Sequence, residues 1–119
     1  MDSILISIKK LLGISAEYEP FDAEIITHIN SAFSTLNQLG VGPANGFMIR
    51  DEDAVWSDFL PESMQLECVK TYMGQKVRLM FDPPDRTPVL QSLEKQVAEW
   101  EWRLNVVVDP APTENVITN

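Results

Sequence analysis

At 119 residues, 45% of them apolar, the chain is long enough for one domain around a single core and too apolar for a disordered segment. One cysteine, Cys68, excludes an internal disulfide and any zinc site built from cysteine pairs, and suits a reducing compartment. A net charge of −9 argues against wrapping a phosphate backbone, because affinity for duplex DNA comes mostly from Lys and Arg.

Asp2 or Ser3 can cap a first short helix, with Ile4, Leu5, Ile8, Leu11 and Leu12 on its buried face and Lys9 and Lys10 outside. Gly13 stops it, and a linker, 14–20, follows. A second helix opens at Phe21-Asp22, with Asp22 as cap and Phe21 placed to staple onto Ile26. Ile25, Ile29, Phe33, Leu36 and Leu39 then recur at helical spacing until Gly40 ends the run.

The stretch from Gly40 to Asp53 is rich in turn formers and reads as irregular. Phe47-Met48-Ile49 and Ala54-Val55-Trp56 flank Arg50-Asp51-Glu52-Asp53; the pattern admits a loop and favours a small β-hairpin slightly. Ser57–Leu60 can form a helical turn. A third helix starts at Pro61-Glu62 and runs to about Phe81, with Leu66, Val69, Met73, Val77 and Met80 buried. Gly74 inside it either weakens the helix or lets another one approach closely.

Asp82-Pro83-Pro84-Asp85 cannot continue a helix, because each proline lacks an N–H and disfavours the α conformation before it. Thr87-Pro88 restarts one as cap and first helical residue. Leu90, Leu93, Val97, Trp100 and Leu104 follow at spacings of 3, 4, 3 and 4, one apolar seam reaching to about Asn105. The third and fourth helices thus form an αα-hairpin. The fold expected is all-α: a small bundle of three longer helices plus a short N-terminal one, with a loop or hairpin excursion. Residues 1–106 form the domain and 107–119 an extended tail.

Little in the chain points to chemistry. His28, the only histidine, sits beside Ile25 and Ile29 and reads as structural; Cys68 lies among core positions. Asp51-Glu52-Asp53 is the one tight acid cluster, but Trp56 stands where a calcium loop needs glycine. No catalytic residue, metal or cofactor is expected. Surface shape remains: on the last helix Trp102 lies about 200° from Trp100, sharing an outer face with Gln91, Lys95 and Ala98. An exposed tryptophan of this kind suits an interface, and Phe47, Met48 and Trp56 pose the same possibility. No run is apolar enough to span a membrane and no export signal is visible, so neither insertion nor secretion is expected.

The charge is concentrated. Residues 16–69 hold ten acids against one base, Arg50, which accounts for the whole −9. Two classes of protein fit that. One is an acidic helical module that mimics DNA and inhibits a nucleic-acid-binding protein.

The other comes from a resemblance. Ile8-Lys9-Lys10-Leu11-Leu12-Gly13, Ile29-Asn30-Ser31, Leu36-Asn37-Gln38-Leu39-Gly40-Val41-Gly42-Pro43, Trp56-Ser57-Asp58-Phe59-Leu60 and residues 75–106, in that order, resemble the head–tail connector proteins of long-tailed bacteriophages. The resemblance covers roughly 3–106. It implies a structural virion protein, assembled in the bacterial cytoplasm, that binds beneath the portal and offers a surface to a stopper or tail-side protein. It also implies a homo-oligomeric ring of the portal's symmetry, dodecameric, whose bore passes duplex DNA without binding it specifically. Head-to-tail ring contacts would fall near Trp102 and near Phe47, Met48 and Trp56. Val106, Val107 and Val108 would add as an edge strand to a partner. Glu17, Glu19, Asp51, Glu52 and Asp53 are the candidates for an acidic bore lining.

Overall fold

The computed structural model describes the backbone of residues 2–108 and the side chains of residues 2–105. Four helices follow in order: α1 (Ile4–Leu11), α2 (Asp22–Gln38), α3 (Met64–Phe81) and α4 (Thr87–Val108), with a 3₁₀ turn at Trp56–Asp58. The described residues contain no strand. The expected tail from residue 109 onward lies outside them.

α3 is the hub, touching α1, α2 and α4, whereas α4 rests chiefly on α3. The core therefore gathers where α1, α2 and α3 meet: Ile4, Ile8, Ile25, Ile29, Phe33, Leu36, Val69, Met73 and Val77 are all buried there. Phe33 is packed by three aromatic rings, those of Phe47, Trp56 and Phe59, at centroid separations of 4.9, 6.4 and 4.7 Å. Such edge-on and tilted pairs add about 1 kcal/mol each to simple burial.

The helix ends follow local chemistry. Ser3 Oγ accepts from the Ile6 N–H and caps α1. Gly13 and Gly40 take φ of +80° and +83° just past α1 and α2, the left-handed conformation that ends a helix most cheaply in glycine. Two expected starts shift. α2 has Phe21, not Asp22, at its cap, without a side-chain bond, because the Asp22 carboxylate is drawn to Lys9. α3 begins at Met64, since Ser63 Oγ accepts from the Leu66 N–H and makes the better cap than Pro61-Glu62.

Lys9 is not outside. It is buried, its Nζ donating to the carbonyls of Ala16 and Tyr18 at 3.0 and 2.8 Å and pairing with Asp22 Oδ1 at 2.8 Å. One ammonium thus ties α1, the linker and the start of α2 together. Leu11, expected in the core, is instead 57% exposed over Gly74 of α3.

The excursion forms no hairpin. Ala54–Trp56 pairs with the chain start: Ile4 N–H donates to Ala54 O at 3.0 Å and Trp56 N–H to Asp2 O at 3.2 Å, around an isolated antiparallel bridge between Ser3 and Val55. The other arm is claimed by a side chain. Asn30 of α2 bonds both backbone groups of Ile49, which removes that residue from strand pairing.

Candidate partner interface

α4 is the most exposed of the longer helices. Val97 and Leu104 are buried against α3 and Leu93 and Trp100 half-buried, so the apolar seam meets chiefly one neighbour. Polar contacts fix its rotation. Tyr72 of α3 donates its phenol proton to Glu101 Oε2 at 2.8 Å, and Lys76 Nζ reaches the same oxygen at 2.9 Å. Burial of the Tyr72 ring, and then its bond to the Glu101 carboxylate, push the phenol well above its ordinary pKa.

With the seam pinned inward, the opposite face is bare. Trp102 is 67% exposed, flanked by exposed Gln91, Lys95 and Ala98, as the helical step requires. Trp100, on the inner side, lies under the Arg103 guanidinium at 5.6 Å. At the end of α4, Val106, Val107 and Val108 are helical, whereas an edge strand added to a partner would need them extended. The helix continues past Asn105, the end that its apolar seam suggested.

The excursion divides its three apolar candidates. Met48 is 65% exposed. Phe47 is half-buried against Phe33 and Phe59, at 4.9 and 5.4 Å. Trp56 is 3% exposed: its ring packs on Phe33 and its Nε1–H donates to Ser7 Oγ at 3.2 Å. Trp56 therefore belongs to the core and cannot form a surface patch. Sequence reasoning also passed over Met64 and Val89, both exposed, because each sits at the first turn of a helix where the seam rule says little.

The acidic candidates are all on the surface, in two groups. Asp51, Glu52 and Asp53 are exposed beside the start of α1, which Ala54 contacts. Asp51 Oδ1 accepts from the Asp53 N–H at 2.9 Å, a local turn rather than a converging ligand set. Glu17 and Glu19 lie by the other end of α1, where Lys9 holds Tyr18. An 8-residue helix separates the groups, about 12 Å of rise. Ser15 Oγ donates to Glu17 at 2.6 Å and holds its carboxyl below the usual range, so it stays charged at neutral pH.

A family model described as Phage connector protein matches residues 4–111. The chain belongs to that family. No curated protein and no solved structure matches it. As a phage connector the chain has a structural role, that of a virion component. Among the described residues no group of three or more His, Cys, Asp or Glu is placed to hold a metal, and no helix is long and apolar enough to cross a membrane. What a connector needs from its surface is partner contacts, and among the described residues Trp102 and Met48 are the most exposed large apolar side chains outside the helix starts.

Proposed function

We propose that this connector binds beneath the portal of a packed capsid and closes there into a homo-oligomeric ring, dodecameric like the portal, whose bore passes the genome. The family match over residues 4–111 carries the reading. Trp102 and Met48 are the surfaces it offers to the portal and to the tail-side protein; they lie on different elements, so each can serve a different partner. The end of α4, Val106–Val108, leads the C-terminal segment toward the portal. Exposed Asp51, Glu52 and Asp53 are the bore candidates, because like charge keeps phosphates from adhering during passage.

Light scattering coupled to size-exclusion chromatography, on the chain alone and with its portal, tests this. A portal-bound assembly with one connector per portal subunit is expected. A monomer or dimer indifferent to portal, one that instead captures a nucleic-acid-binding protein, overturns it in favour of the acidic DNA mimic.

A further inference from the structure

A concavity of about 1240 Å³ runs between α1, α3 and the start of α4. Its apolar part is made by Leu11, Val89 and Leu93 over Gly74, the residue that lets α1 approach α3 closely. Leu11 and Val89 are both exposed in it. Lys10 and Arg78 line it too, and among the described residues neither has a carboxylate within ion-pair distance. Asp2 and Glu67 also line the groove but pair with Lys70, at 3.9 and 3.4 Å, so Lys10 and Arg78 leave it with an excess of positive charge, complementary to the acidic side of a chain of net −9.

The matching chemistry lies on the linker after α1. Glu17-Tyr18-Glu19 presents two exposed carboxylates around a ring that is 49% exposed. Lys9 points to this linker, holding the Tyr18 carbonyl at 2.8 Å, while the adjacent Lys10 and Leu11 line the groove. The groove thus runs along α1, from Ser3 to Leu11, and the linker leaves the C-terminal end of the same helix. A head-to-tail contact needs two different patches on each copy, and it gives a ring when its rotation closes.

Resting on the ring reading above, we propose that the groove is the subunit–subunit socket. The 17–19 segment of one copy seats in the groove of the next, Tyr18 on Leu11 and Val89, with Glu17 and Glu19 facing Lys10 and Arg78. This places Glu17 and Glu19 in the ring contact rather than in the bore.

The test uses the full chain with its portal, and counts connector copies per portal by light scattering. Lys10→Glu with Arg78→Glu should abolish complete rings while leaving the thermal transition in place, since both side chains are exposed. Adding Glu17→Lys and Glu19→Lys to that same chain inverts every contact and should restore the rings. Full rings from the groove variant overturn the socket. Loss without restoration by the fourfold variant also overturns it, and assigns the groove to another virion protein. A wild-type chain that never assembles on the portal defeats the ring reading itself, a distinguishable result.

Discussion

Asn30 Nδ2 donates to the Ile49 carbonyl at 2.9 Å while its Oδ1 accepts from the Ile49 N–H at 2.8 Å, so one side-chain amide satisfies both backbone groups of a buried loop residue. The Asn amide carries a donor and an acceptor side by side in one plane, and it has the reach for a loop lying against its own helix. Asn30→Ala strands two buried polar groups and should cost about 2–3 kcal/mol, read as a lower urea midpoint. Proteolysis near Met48 should accelerate in the same variant. An unchanged midpoint would show that the clamp contributes nothing.

Lys9 and Asp22 are unequal partners, and the inequality gives a prediction with a sign. Lys9 is 1% exposed and Asp22 25%. Asp22→Ala leaves an ammonium buried with only two carbonyls, whereas Lys9→Met leaves a carboxylate that is part-exposed, although its Oδ1 is buried. The first should cost about 3 kcal/mol and the second clearly less, because an unpaired buried charge is what makes a broken ion pair expensive. Chemical denaturation of the two variants checks the order.

Most of the helical framework was legible because it depends on neighbours along the chain. The seam of α4, the stops at Gly13 and Gly40, and the exposure of Trp102 all follow from a 3.6-residue period and local backbone preference. Lys9 was misread because its charge signals solvent, while its partners are a linker and a carboxylate 13 positions away. The excursion was misread for a related reason: Phe47, Met48 and Trp56 are alike in sequence, and only contacts with Phe33, Phe59 and Ser7 decide which is buried. The groove was invisible, since it needs Leu11 and Val89 from separate helices.

Two glycines should respond oppositely to alanine. Gly42 has φ +94°, and a Cβ there would collide with the buried Phe59 ring. Gly42→Ala combines backbone strain with overpacking and should cost about 3 kcal/mol. At Gly74 a Cβ meets the far end of the exposed Leu11 side chain, 2.6 Å away, which can swing aside. Its gain in helix propensity, about 1 kcal/mol, offsets that movement. Gly74→Ala should therefore melt within a few degrees of wild type while Gly42→Ala melts far lower.

Tyr72 predicts a base-sensitive fold. Its phenol pKa is raised in the native state by burial and by Glu101, above an unfolded value near 10. The stabilisation from keeping it protonated is complete below about pH 10 and is lost as pH climbs toward the folded value. Wild type should then lose stability relative to Tyr72→Phe by about 1.4 kcal/mol per pH unit above 10. At neutral pH the Phe variant gives up one hydrogen bond, about 1 kcal/mol, because Lys76 still holds Glu101. Parallel stability curves from pH 9 to 11.5 would rule the linkage out.

Trp102 separates folding from assembly. Its side chain lies on the face of α4 opposite Val97 and Leu104, so truncating it removes no core contact. Trp102→Ala should leave the unfolding midpoint within about 0.5 kcal/mol of wild type, the ordinary range for a surface change. If the tryptophan is a buried anchor in the assembled virion, the same variant should lose 2 kcal/mol or more of partner affinity, roughly thirtyfold, in a portal-binding titration. Met48→Ala, on the other exposed patch, should leave portal affinity intact and weaken tail-side attachment instead. Equal loss in both titrations would mean that the two patches serve a single partner.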